Sequence, residues 1–201
     1  MKKNTLTGCA IAAIALVSFN ASANVTTFAT ATWDARATKD TTSSLVVTPL
    51  KSLKFQYAEG METFNKQQGI FDIAIHGQSG ATDFSLTSRI INNTLSRSAD
   101  DSTLQVGVAW NGQPLNKTTA VNMINTENNV SAGLDLLALS SAYAGTTRVA
   151  TQGTFDFTID SATSDGTTSA AFKDLSDGAW DGDVQVQFTA VWNVPRGNPE
   201  S

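Results

Sequence analysis

Ile70-Phe71-Asp72-Ile73-Ala74-Ile75-His76, then Gly77-Gln78-Ser79-Gly80, then Asp83-Phe84-Ser85-Leu86-Thr87-Ser88-Arg89-Ile90-Ile91, is the stretch that decides the fold. Successive side chains of a strand point to opposite faces. Phe71, Ile73 and Ile75 therefore share a core face, with Ile70, Asp72, Ala74 and His76 behind them. In the second run Phe84, Leu86, Ser88 and Ile90 share a face. Gly77 to Gly80 are turn formers. Two alternating runs across a short turn predict a β-hairpin over residues 70–91.

The same period recurs on both sides. Residues 103–110 alternate Leu104, Val106, Val108 and Trp110 before the tight-turn pair Asn111-Gly112. Residues 151–159 alternate Phe155, Phe157 and Ile159. Residues 184–194 alternate Val184, Val186, Phe188, Ala190 and Trp192, the candidate residues of a terminal strand or groove. Pro195 ends that strand and opens a polar tail, residues 195–201. Shorter strands are expected at 45–48, stopped by Pro49, at 53–57 and at 121–124. Residues 58–69 read as a loop with a helical turn at 61–64, and 160–168 as a loop. Leu134, Leu136, Leu137 and Leu139 fit a short helix or a buried strand equally well. About nine short strands with frequent turn signals and little helix predict an all-β antiparallel fold, a sandwich in preference to a barrel.

The start of the chain reads as a secretory signal over residues 1–23. Lys2 and Lys3 precede the apolar run 9–19, and Ala21-Ser22-Ala23 is a small-residue cleavage site. The run is too short to span a bilayer. Leu6-Thr7-Gly8-Cys9 matches a lipobox, but its apolar region follows the cysteine instead of preceding it. Cleavage after Ala23 removes the one cysteine, so the exported fold would hold without disulfides. It also leaves 11 Lys and Arg against 18 Asp and Glu, a net charge of −7. That balance disfavours nucleic acid and anionic membrane surfaces as partners.

Catalytic chemistry is hard to find. The single histidine, His76, would have to serve any Ser–His–Asp triad, and Gly77-Gln78-Ser79-Gly80 is not a G-x-S-x-G elbow. It reads as a surface residue. One cysteine and one histidine are too few for a thiolate–imidazole metal site. Asp100-Asp101 and Asp160 to Asp165-Gly166 lack calcium-loop spacing. Asp181 and Asp183 read as solvated turn charges ahead of a glycosidase pair, and Trp110 and Trp180 as core or rim packing ahead of sugar platforms. No enzyme, catalytic residue, cofactor or metal is expected.

Residues 24–33, Asn-Val-Thr-Thr-Phe-Ala-Thr-Ala-Thr-Trp, would begin the mature chain. They are uncharged and β-prone, with Val25, Thr27, Ala29, Ala31 and Trp33 on the face expected inward and Thr26, Phe28, Thr30 and Thr32 opposite. A bare strand at a free end is an edge-pairing hazard. The reading is that it leaves its own domain and completes a neighbour's sheet, with polar residues 34–44 as the connection. Head-to-tail donation does not close on itself, so it builds a fibre. The runner-up is a secreted monomeric carbohydrate-binding β-sandwich in which residues 24–33 are an ordinary first strand.

Lys39-Asp40-Thr41-Thr42-Ser43, Leu45-Val46-Val47-Thr48-Pro49-Leu50, Phe55-Gln56-Tyr57-Ala58-Glu59-Gly60, Leu86-Thr87-Ser88-Arg89, Asn93-Thr94-Leu95 and Gly178-Ala179-Trp180-Asp181-Gly182-Asp183-Val184 resemble, in this order, the major fimbrillins of the enterobacterial common pilus, or Mat fimbria, family. The likeness runs through the mature chain to Trp192. It implies a pilus shaft subunit with an immunoglobulin-like sandwich, exported through the periplasm to fimbriae on the cell surface. The implied partners are other copies of the chain, a periplasmic chaperone, an outer-membrane usher, a tip adhesin and the host-cell surface. Polymerisation by donor-strand exchange, adhesion and biofilm formation are implied with them. The donor of the family maps to residues 24–31 here, with Val25, Thr27, Ala29 and Ala31 seated in the neighbour. The expected division is signal peptide 1–23, donor strand 24–33, sandwich domain 34–194 and tail 195–201. Residues 193–201 extend past the family's usual end.

Overall fold

The computed structural model describes residue 39 and residues 42–131 and 133–195. These lie in the unit Lys39–Ser201. The expected signal segment 1–23, the expected donor strand 24–33 and residues 196–201 of the tail fall outside the described residues.

The strands in chain order are Leu45–Pro49 (β1), Tyr57–Ala58 (β2), Thr63–Phe64 (β3), Gln67–His76 (β4), Asp83–Asn92 (β5), Thr94–Ser96 (β6), Thr103–Trp110 (β7), Gln113–Pro114 (β8) and Val121–Asn125 (β9). Two one-turn helices follow, Asp135–Ala138 (α1) and Ser140–Tyr143 (α2). The last strands are Arg148–Thr163 (β10), Ser169–Ala170 (β11) and Gln185–Asn193 (β12). The larger sheet has the order β1-β4-β10-β7-β6, with β11 attached to β10 and β8 to β7. The smaller has the order β12-β5-β9, and β2 pairs β3 alone. Each of these ladders is antiparallel.

The two sheets face each other across one core. Phe188 of β12 lies 5.3 Å from Phe71 of β4 and 5.8 Å from Phe155 of β10, ring centre to ring centre. Ile73, Ile75, Leu86 and Val106 are fully buried between them. The period-2 faces read from the sequence hold for Phe71, Ile73 and Ile75, for Phe84, Leu86, Ser88 and Ile90, for Leu104 to Trp110, and for Phe155 to Ile159. Ala74, assigned to the outward face, is buried as well. It is a small residue between Val46 and Ala150 in the ladder, and its neighbours cover it.

The expected hairpin over residues 70–91 does not form. β4 pairs with β1 and β10, whereas β5 pairs with β12 and β9. Residues 77–82 carry the chain from one sheet to the other. Alternation fixes which face of a strand is apolar and leaves its partner undetermined. Other differences are local. Only Tyr57 of the expected strand 53–57 enters a ladder, although Leu53 and Phe55 still alternate half-buried against the core. The helical turn falls at Glu59–Met61 instead of 61–64. The leucine-rich segment is helical, burying Leu134 and Leu137 and exposing Leu136 and Leu139. β10 continues through residues 160–163, past a bulge between Ile159 and Ser161.

Candidate functional site: an open groove between two sheet edges

β1 closes one side of the larger sheet and β12 one side of the smaller. Among the described residues each has a single ladder partner, β4 and β5 respectively. β12 shows what this does to side chains. Val184, Val186, Phe188, Ala190 and Trp192 point to the core and touch it, yet all five are only half-buried. The equivalent residues of β4, β5 and β7 are buried. The period is the same; the inward face of β12 is less covered than theirs.

A cavity of ≈ 1120 Å³ lies in this opening, against the Val184–Phe188 half of the groove and bordered by Val47, Phe71, Phe155 and Phe157. The cavity stops short of Ala190 and Trp192, and in that sense the opposite half is narrower. There Trp192 packs on Phe84 at 5.1 Å, and Phe84 stacks on Tyr143 at 6.1 Å. The Trp192 indole nitrogen is buried without a hydrogen-bond partner.

The wide end is framed by aromatic rings. Phe64 meets Tyr57 at 5.5 Å, Phe172 at 5.4 Å and Trp180 at 6.4 Å, in edge-to-face geometries that suit ring quadrupoles. Arg97 fixes the segment that carries Trp180. It pairs with Asp100 at 2.6 Å, donates to the Asp177 carbonyl at 2.6 Å and lies 5.7 Å over the indole. The indole N–H of Trp180 donates to the Ser102 hydroxyl, which donates to Asp100. That hydroxyl is the main reason the Asp100 carboxyl is held below its ordinary value; the Ser102 amide and Arg97 act in the same sense.

The ends of the groove are distinct. Leu45 pairs with Ile75, and the His76 amide donates to Ser44. Asn193 pairs with Asp83, at the same end of the domain. The chain preceding β1 therefore joins the domain at the narrow end. Val184 and Gln185, beside Asn92, mark the wide one.

Of the residues singled out in the sequence, Val184, Val186, Phe188, Ala190 and Trp192 come together on one face. Val25, Thr27, Ala29 and Ala31 lie outside the described residues. His76 is exposed and Trp110 is in the core. Trp180 packs on the rim, and Asp181 bridges to Ser96 through its backbone. Val47, Leu53, Phe55, Phe64 and Phe172 also line the groove and were not singled out. The one sequence signal for them is the unpartnered alternation of Leu53 and Phe55. Among the described residues, no group of three or more His, Cys, Asp or Glu is placed to hold a metal ion.

Among the described residues, a long cleft beside the edges of β1 and β12, with Phe71, Phe155 and Phe188 at its floor, suits a polypeptide strand. That is the geometry of a structural subunit. The family model for fimbrillin MatB matches residues 26–192, and the chain belongs to that family of pilus subunits, which are not enzymes. It is 48% identical over 194 residues to the common pilus major fimbrillin subunit EcpA of Klebsiella pneumoniae strain 342, covering 96% of this chain and 99% of the relative. The same figures hold for the EcpA subunit of Escherichia coli K12. A looser likeness, with a TM-score of 0.42 and 16% identity, is to the CooA pilin subunit from enterotoxigenic Escherichia coli; it covers 72% of this chain and 86% of that one.

Proposed function

We propose that this chain is the shaft subunit of a surface pilus, joined to its neighbours by donor-strand exchange. The observation that carries the reading is the half-buried inward face of β12 across the groove from β1, which ends the larger sheet among the described residues. A donated strand would satisfy both the apolar face and the bare backbone edges. Residues 24–31 are the donor, with Val25, Thr27, Ala29 and Ala31 turned into the neighbouring immunoglobulin-like domain. Burying Val25 contributes about 1.5–3 kcal/mol and the smaller residues less, so ladder hydrogen bonds carry much of the specificity. Residues 1–23 serve export to the periplasm, and the tail 195–201 stays outside the groove.

The open groove also explains the need for partners during export. An uncovered apolar face and two bare edges invite aggregation, so a periplasmic chaperone covers them until an outer-membrane usher passes the subunit into the fibre. Adhesion to host cells and biofilm formation belong to the assembled pilus and its tip adhesin. The monomeric sugar-binding alternative is disfavoured by Trp110, which is in the core, and by Trp180, whose ring is engaged by Arg97 and Phe64.

The test is a gel of material sheared from the cell surface, run in SDS with and without boiling. The expected result is a ladder of multiples that collapses on boiling, as for non-covalent polymers that open only through a high barrier. A lone monomer band in both lanes, with pili seen by microscopy in the sheared material, rules out strand exchange as the joint.

A further inference from the structure

We infer that Asn111-Gly112 is a self-modifying site, where the chain cyclises on itself and the asparagine is converted to aspartate and isoaspartate, at a rate set by opening of the turn that holds it. The inference goes beyond the assembly reading and does not depend on how subunits are joined.

The sequence singles out the position. Asn111 is the one asparagine of the chain that glycine follows; the others precede lysine, asparagine, threonine, methionine, valine, alanine or proline. The reaction needs the backbone nitrogen of the following residue to approach the asparagine side-chain carbonyl. A β-carbon on that residue crowds the approach and narrows its backbone freedom, and glycine does neither.

The structure places the pair where water reaches it and where the backbone moves. Asn111 and Gly112 are the two residues between β7 and β8, and both are exposed. Trp110 pairs with Gln113 across them. Their φ values are +48° and +80°, the signs of a type I′ turn. Ring closure requires rotation about the bond from the Asn111 α-carbon to its carbonyl. A closed two-residue turn fixes that bond, so the turn must open first.

The strand that closes it is weak. β8 is two residues, Gln113–Pro114, both exposed, and proline brings no N–H to a ladder. The next bond runs from the Leu115 amide to the Val108 carbonyl at 2.8 Å, and Leu115 is buried. Residues 111–114 therefore lift off while Leu115 stays seated. Short exposed ladder ends of this kind open at the low end of the local free-energy scale.

With the turn open, the Gly112 amide gives its proton to base and its nitrogen attacks Cγ of Asn111. The new N–Cγ bond closes a cyclic imide. The bond from Cγ to the side-chain nitrogen breaks, and that nitrogen takes up a proton and leaves as ammonia. Water then opens the imide. Attack at Cγ restores the ordinary peptide bond and leaves aspartate. Attack at the backbone carbonyl leaves isoaspartate, with the main chain routed through the former side chain. Either product carries a carboxylate where an amide stood. Isoaspartate also lengthens the backbone by a methylene, so the two-residue turn no longer closes on Gln113.

The test ages the exported chain, purified from the cell surface, at mildly alkaline pH, both folded and unfolded in guanidinium chloride. Sites are mapped by peptide mass spectrometry, and isoaspartate is marked with an isoaspartyl methyltransferase and a labelled methyl donor. In the folded sample Asn111 is expected to convert several-fold ahead of every other asparagine, and its peptide to take the label. Unfolding is expected to speed conversion at Asn111 by about ten-fold or more, as for a reaction gated by a local opening. Asn111→Gln is expected to abolish the label in both samples. Earlier conversion of any other asparagine in the folded chain overturns the site, as does a label that survives Asn111→Gln. Equal rates at Asn111 in the two samples overturn the gating by the turn. An Asn111 that stays intact in the folded chain after full conversion in guanidinium overturns release through local opening.

Discussion

Asp165 sits in the turn between β10 and β11. Its carboxylate accepts the amides of Thr168 at 2.6 Å and Thr167 at 2.9 Å, and both threonine hydroxyls. These bonds, the Thr168 amide first, hold the Asp165 carboxyl far below the ordinary aspartate value of 3.8. A depressed folded value stabilises the turn above the ordinary carboxylate range, and the contribution is lost as pH falls through the folded value. In an NMR titration, the Thr167 and Thr168 amide resonances should therefore stay unmoved through pH 3.8 and shift only in stronger acid. A midpoint near 3.8 would show that the bonds do not hold in solution. At this scale much was legible. Asp165-Gly166 reads as a turn, and burial separates Trp110 from His76 as their alternation suggested. The network around Arg97 was not legible, because Asp100 and Ser102 of its own loop meet Asp177 and Trp180 of a distant loop that only the tertiary fold brings alongside.

Whole elements were legible as faces and not as pairs. Residues 70–91 show why. The two apolar faces were read correctly, but the connection crosses between sheets instead of folding back within one. Gly77 makes that crossing. A β-carbon there would lie 2.3 Å from the Gly145 carbonyl and 2.4 Å from that of Ala142, so the connection is pressed against the backbone after α2. No turn motif records such a contact, since its partner lies far along the chain. Gly77→Ala should destabilise the domain by about 1–3 kcal/mol through overpacking. Gly60→Ala, at a position with nothing within 4 Å, should leave the denaturation midpoint nearly unchanged. Equal midpoints for the two variants in urea would show that the crossing is looser than described. Leu53 and Phe55 carry the same lesson. They alternate like a strand, but their segment lies along the groove without a ladder, a placement that local pattern does not encode.

For the whole molecule the decisive feature is how far one alternating face is buried, and a sequence does not display burial. Val184 to Trp192 read as one more alternating strand; only their half-burial, set against the full burial of Phe84 to Ile90, marks an edge awaiting a partner. The other feature was open to view in residues 24–33, an uncharged alternating run that invites pairing with another edge. The proposed joint unites the two, a groove with room for an extended strand and a stretch of chain with the length and alternation to fill it. Amide hydrogen exchange tests that union directly, comparing sheared pili with subunits dissociated from them by heat and returned to native buffer. The prediction is that amides of β1 and β12 exchange much more slowly in the pilus, while those of β9, the far edge of the same small sheet, exchange alike in both. Equal exchange of β12 in pilus and free subunit would contradict the claim that a neighbour's strand occupies the groove.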